Sequence, residues 1–476
     1  VSVHSLAHVT SQNGGRVSAR ALLVVALVIV LVAVSVRVAW SRGSLNGLIC
    51  GGECGPEAVA APVGLGSARA GDASVREVSA DGPGAAAVRR AVDSALRNTD
   101  ALGPRVGVAV SRVSVGEPSD VLVEEGPAAL VPASTTKLLT AYAALSAIDP
   151  QQRFATTVVR DGSRLTLVGG GDPYLVRKRG KGAPRVERAE LSVLAARTAT
   201  ALRRAGVEKV SLRHDTSLFS GPEASTAWEK DYVPAGIVTR IGALWIDEGR
   251  LSGGGRSDDP AQDAADAFAA ELASRGIDVA DGSEEAQAPS GAREVARVES
   301  ATLAQVVESL LVTSDNEASE VVLRHVGLAE SEPGSFAGGA TAIEKVLADA
   351  GVGVKGLVLT DGSGLSRKNR IAPSTLARVV ALAPTRARTS SLVTDIPVGG
   401  FSGTLKNRFS DAGAARGSVR AKTGTLTGVH AIAGMVTTRS GAPLAFSVMT
   451  DATKDINPFV TQAALDDLAV ALANLP

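Results

Sequence analysis

Val131-Pro132-Ala133-Ser134-Thr135-Thr136-Lys137-Leu138-Leu139-Thr140 is the stretch from which the chain is best read. A serine and a lysine three apart share one face of a helix. A serine hydroxyl is unreactive at neutral pH unless a base takes its proton, and a lysine amine serves as that base once its pKa is pulled down. Pro132 upstream and Leu138, Leu139, Tyr142, Ala143 and Leu145 downstream predict that Ser134 opens a buried helix. Its backbone N–H then lies at the positive end of the helix dipole, where a developing oxyanion is stabilised.

Working outward, 476 residues suffice for two or more domains. The formal net charge is zero, so no polyanion, and no nucleic acid, is expected as a partner. Eleven of the 49 basic residues are lysine, which makes a lysine inside a motif less accidental. The only cysteines, Cys50 and Cys54, suit a small local disulfide or two idle thiols. Two such ligands do not make a metal site, so neither metal nor cofactor is expected.

Residues 1–20 are polar and carry Arg16 and Arg20 without an acid, as a cytoplasmic N-terminus does. The apolar run that follows, within residues 21–40, is expected to be a transmembrane signal anchor or a signal peptide. Residues 41–84 are rich in Gly, Ala, Ser and Pro and are expected to be a flexible linker.

Folding resumes near Ala85. Residues 85–150 are assigned a helix (86–96), two strands (105–113 and 121–124) and the Ser134 helix. Residues 151–295 are expected to form an inserted α+β domain. It opens with a hairpin about Asp161-Gly162, and helices are expected over 191–205 and 261–276 with a strand near 210–213. Gly169-Gly170-Gly171-Asp172-Pro173 is either a structural turn or a wall of a substrate cleft; no Gly-Lys-Ser/Thr follows, so it is not a phosphate loop. Residues 296–476 are assigned helices over 303–311, 316–325, 341–350 and 376–382, a strand over 354–359, three closing strands and a last helix over 459–472. The whole is a mixed α+β chain.

Ser134-x-x-Lys137 alone is weak evidence, because a chain of this composition offers roughly one such spacing by chance. Thr313-Ser314-Asp315-Asn316-Glu317, between two helices, and Ala421-Lys422-Thr423-Gly424-Thr425, ending a strand, change its weight. Singly, the first of these is a helix cap and the second a strand end with a solvated lysine. Together, Ser-x-x-Lys, Ser-Asp-Asn and Lys-Thr-Gly in this order are the motif set of serine β-lactamases and penicillin-binding proteins. In chemical terms Ser134 is acylated and Lys137 takes its proton, with burial or a second cation such as Lys422 lowering its pKa. Ser314 relays a proton to the leaving amine, and Asn316 holds Lys137 and the substrate amide. Lys422, Thr423 and Thr425 bind a terminal carboxylate. The N–H groups of Ser134 and Thr425 form an oxyanion hole, where each donor contributes about 3 kcal/mol.

Within this group the chain resembles the low-molecular-mass class C penicillin-binding proteins, the D-alanyl-D-alanine carboxypeptidase/endopeptidase family. The resemblance runs from about Ala85 to the C-terminus. It rests on the three motifs, the long insertion between Ser134 and Ser314, Gly169-Gly-Gly-Asp-Pro173 and Asp361-Gly-Ser-Gly-Leu-Ser366. It implies a transpeptidase-like fold with a large inserted domain. The implied function is penicillin-sensitive hydrolysis of D-Ala-D-Ala in peptidoglycan stem peptides, outside the cytoplasmic membrane, by a protein anchored there or secreted. Gly424 belongs to the substrate-binding motif, and Asp172 and Arg367 are candidates to face the peptide side chain. A β-lactamase would need a second base to deacylate quickly, and no Glu-x-x-Leu-Asn follows Ser314-Asp315-Asn316. A catalytically inactive wall-binding scaffold would have lost a motif residue, and none is lost.

Overall fold

A computed structural model describes residues 82–476 apart from 98, 114–119 and 181–184. The expectations for residues 1–20, the membrane segment 21–40, the linker up to residue 81, Cys50 and Cys54 lie outside the described residues. Among the described residues no helix is long and apolar enough to cross a membrane.

The first sheet has five antiparallel strands, built from β1 (Val106–Arg112), β2 (Val121–Glu125), β8 (Val419–Leu426), β9 (Val429–Thr437) and β10 (Pro443–Thr450). Their order is β2-β1-β10-β9-β8. The central strands are buried along almost their whole length, because helices cover both faces. On one face lie α1 (Ala85–Ala95) and α9 (Pro458–Ala473), whose Val88, Val92, Leu465 and Leu468 pack on Val108, Val110, Ile432 and Val448. Against the other face lie α8 (Pro373–Leu382) and α2 (Lys137–Ala147). Residues 137–145 of α2 are all buried, as expected for a helix apolar on every side. Strand β8 is left as an edge.

The chain leaves this body after α2 to build a second sheet from β3 (Arg153–Asp161), β4 (Arg164–Val168), β5 (Lys209–Asp215), β6 (Asp278–Glu285) and β7 (Arg293–Thr302), in the order β6-β5-β4-β3-β7. Strands β3 and β4 form the expected hairpin, whereas β4, β5 and β6 run parallel. The parallel steps need crossovers, supplied by α3 (Leu191–Arg204) and α4 (Pro260–Ala273), whose Leu194, Ala199 and Phe268 fill the core beside the sheet. Strand β7 returns alongside β3, and Thr302 at its end caps α5 (Leu303–Thr313) in a reciprocal box with Gln305.

The structure departs from the sequence expectation in several segments. The second sheet continues to Thr302, past residue 295, because β7 finds its partner in β3 far back in the chain. The strand expected over 354–359 is reduced to a single bridge between Val358 and Arg370. Gly356 sits at φ +78° in the middle of that run, and a left-handed residue interrupts an extended ladder.

The insertion is fastened to α6 (Asn316–Ala329) at three places. Arg256 forms an ion pair with Glu317, and both side chains are buried. Arg324 donates to the carbonyls of Ser220 and Pro222, at 2.9 and 2.6 Å. His325 stacks on Phe154 and its Nε2 lies 2.9 Å from the Gly171 carbonyl.

Candidate active site

Ser134 lies in a single 3-10 turn, Ala133–Thr136, that runs directly into α2. The tight turn places Ala133 at φ +45° and holds Ser134 Oγ at 3.2 Å from Lys137 Nζ. Lys137 Nζ also donates to Asn316 Oδ1 at 2.8 Å and to the Ser363 carbonyl at 2.7 Å. Of these partners, the Asn316 oxygen and the Ser363 carbonyl only accept. A neutral amine keeps its two donors for them and turns its lone pair toward the Ser134 hydroxyl.

Ser314 closes α5 in the left-handed region, at φ +61°, and Asp315 caps α6 by accepting from the Ala318 N–H at 2.9 Å. The cap and the catalytic motif are therefore one device: the middle residue holds the helix, while its two neighbours reach the lysines. Lys422 Nζ donates to Ser314 Oγ at 2.9 Å and to the Thr423 carbonyl at 2.7 Å. Two serine–lysine pairs thus stand side by side, with Asn316 against the first.

Both amines are fully buried. Burial lowers Lys137 to about 8, against the pull of Glu320, Asp361, Asp315 and Glu317. Lys422 falls well below the usual lysine range, first by burial and then by the nearby Lys137 charge. The expected lowering of Lys137 by Lys422 is thus reversed, because the acids gather around Lys137. An incoming carboxylate would favour the charged form of Lys422.

On β8, Val419 accepts from the Gly399 N–H and Ala421 donates to the Pro397 carbonyl, each at 2.9 Å and both on the side away from β9. Alternation along an antiparallel strand then turns the Thr423 and Thr425 N–H groups to that same open edge. Thr425 is exposed, and Thr423 Oγ1 donates to Thr404 Oγ1 at 2.9 Å. Gly424 lets the strand approach the nucleophile turn, since a Cβ there would stand 2.6 Å from the Pro132 carbonyl and 3.0 Å from Ser134 N. The amides of Ser134 and Thr425 therefore lie at one junction, as an oxyanion hole requires.

The D-Ala-D-Ala carboxypeptidase 3 (S13) family matches residues 88–254 and 252–475. The chain belongs to this family. It is 34% identical to the carboxypeptidase DacB of Mycolicibacterium smegmatis, over 83% of this chain and 86% of the relative. A carboxypeptidase of Mycobacterium tuberculosis is 37% identical, over 68% and 71% respectively. Among solved structures, penicillin binding protein 4 of Haemophilus influenzae superposes with a TM-score of 0.65 at 23% identity, covering 81% of this chain and 98% of that one. That likeness establishes the penicillin-binding-protein and β-lactamase-like α+β fold. This S13 chain is a serine-type D-Ala-D-Ala carboxypeptidase, and a serine acyl-enzyme is the general mechanism of its family.

Other sequence candidates in the S13 chain fall differently. Asp172 is 5% exposed; its Oδ1 accepts from the Tyr174 N–H at 2.8 Å, and burial raises its carboxyl to about 7. It is held inside the turn and is not hydrogen-bonded to the two serine–lysine pairs. The glycines before it explain why: a Cβ at Gly169, Gly170 or Gly171 would collide with Ala243, Ala155 or His325. The glycine stretch packs the insertion against α6 through the Gly171 carbonyl and His325. Arg367 donates to the Thr427 carbonyl at 2.9 Å and lies 3.5 Å from Glu229, so it stands just past the end of β8. Among the described residues no group of three or more His, Cys, Asp or Glu side chains could hold a metal ion.

Sequence reading missed the support beneath Lys137. Asp361 accepts from the Gly364 and Ser366 N–H groups, at 3.0 and 2.6 Å, and from Trp228 Nε1 at 2.9 Å. This folds the loop 361–366 so that the Ser363 carbonyl meets the amine. The run Asp361-Gly-Ser-Gly-Leu-Ser366 was the available signal, but nothing in it names its partner.

Proposed function

We propose that the S13 chain removes the terminal D-alanine of peptidoglycan stem peptides through an ester on Ser134, that β-lactams trap the same ester, and that it works outside the cytoplasmic membrane, anchored through residues 21–40 or secreted. The observation that carries the site assignment is the buried Lys137 amine at 3.2 Å from Ser134 Oγ. Lys137 takes the Ser134 proton as Oγ attacks the penultimate D-alanine carbonyl. The amides of Ser134 and Thr425 receive the oxyanion, and Lys422, Thr423 and Thr425 receive the terminal carboxylate. Ser314, bonded to Lys422, passes its proton to the departing amine and takes up the one that Lys137 removed from Ser134, so D-alanine leaves neutral at nitrogen and Lys137 is again a free amine. Water then attacks the ester, gives one proton to Lys137, and Ser134 regains its own. A cross-linked peptide presents the same type of amide to the same acyl step.

Incubation with a D-Ala-D-Ala-terminated peptide is expected to release D-alanine, while the penicilloyl adduct breaks down slowly. Rapid penicillin turnover without D-alanine release would make the protein a β-lactamase. No reaction with either compound would make it a wall-binding scaffold.

A further inference from the structure

One buried acid has no place in the reaction just described. Glu320 is fully buried in α6, and among the described residues no basic side chain forms an ion pair with it. Its Oε2 accepts from the Gly362 N–H at 2.9 Å and its Oε1 from the Ser363 N–H at 2.8 Å. The carbonyl of that same Ser363 accepts from Lys137 Nζ. Glu320 follows Asn316 by one helical turn, so the two share a face of α6. That face therefore grips the amine twice, directly through Asn316 and indirectly through the clamped loop. An isolated carboxylate in a dry interior is costly, and anchoring two amides does not by itself require a charge.

We propose that Glu320 is a positioning residue for the general base: its carboxylate clamps the Gly362 and Ser363 amides, aims the Ser363 carbonyl at Lys137, and its charge sets how readily Lys137 takes the Ser134 proton. The inference rests on Lys137 being that base. The charged groups around the amine are Asp315 at the cap of α6, Glu317 and Glu320 within it, Asp361 from the loop, and Lys422 from β8. Around Glu320 itself stand Asp361 and, on its own helix, Arg324. Glu320 is the largest of the influences that keep the proton on Lys137; burial and Asp361 push its own carboxyl up into the range where Lys137 also titrates, so the clamp carries its charge where the amine becomes free.

The test is the rate of acylation by a fluorescent penicillin across pH, with thermal unfolding recorded for each variant. Glu320→Gln keeps the shape, removes the charge and offers only one acceptor to two amides. It is expected to slow acylation about tenfold or more, a share of what a positioned base contributes. Its acid limb is expected to move to lower pH, because loss of the negative neighbour disfavours the ammonium form of Lys137. Glu320→Asp keeps the charge on a shorter arm and is expected to be slow with its limb in place. A Glu320→Gln enzyme with wild-type rate, or slowed with an unmoved limb, overturns the proposal. Should Glu320→Gln not fold, a Glu320→Asp enzyme with wild-type rate overturns it instead. Wild-type acylation in Lys137→Met would remove the base assignment itself, a failure separate from that of Glu320.

Discussion

Lys137→Met is expected to slow acylation by penicillin by about 10² to 10⁴-fold, the range that a positioned general base supplies. Methionine is chosen because its flexible apolar chain fills the fully buried site without adding a charge. The same measurement on the wild-type protein carries a pH prediction. Only the neutral amine can take the Ser134 proton, and burial brings Lys137 to about 8, so the acylation rate should climb with pH through about 8. The sign follows from the base form being the deprotonated one. A rate independent of pH between about 6 and about 9 would contradict a lysine base, since a group titrating in that range must change it by more than tenfold.

Gly364→Ala is expected to be strongly destabilising and to damage the site as well. Gly364 stands at φ +85°, and a Cβ there would overlap the Ala133 carbonyl and press on Thr136 Oγ1, both in the turn that presents Ser134. The backbone strain and the overpacking together cost roughly 2 to 6 kcal/mol. Because the loop 361–366 also supplies the Ser363 carbonyl to Lys137, penicillin labelling should fall with stability. Gly356→Ala is the control: φ is +78°, but nothing lies within 4 Å of the added carbon. It carries the strain without the collision and should keep full labelling with a smaller loss of Tm. Equal losses in the two variants would show that the contact with the nucleophile turn does not matter.

The parts of the site legible in the sequence are those whose geometry is local. Ser134 and Lys137 are one helical turn apart, Ser314 and Asn316 flank a helix cap, and Lys422 to Thr425 run along one strand; secondary structure alone fixes each group. That the three groups meet followed from the family resemblance rather than from spacing. What escaped was non-local. Glu320 and the loop 361–366 lie far apart in sequence and meet only through backbone amides, which no side-chain pattern announces. The acids that reverse the expected charge balance between Lys137 and Lys422 are scattered over α6 and this loop. Strand β6, Asp-Val-Ala-Asp-Gly-Ser-Glu-Glu, lacks alternation and is extended only because β5 pairs with it. Asp172 had a motif around it, yet the close approaches of its preceding glycines turn it inward.

In the proposed reaction a single residue, Ser134, carries the acyl group. Mass mapping of the protein after penicillin treatment tests it most directly. One penicilloyl adduct is expected, on the peptide containing Ser134, and none in a folded Ser134→Ala variant; an adduct on Ser314, or labelling that survives Ser134→Ala, would overturn the assignment of Ser134.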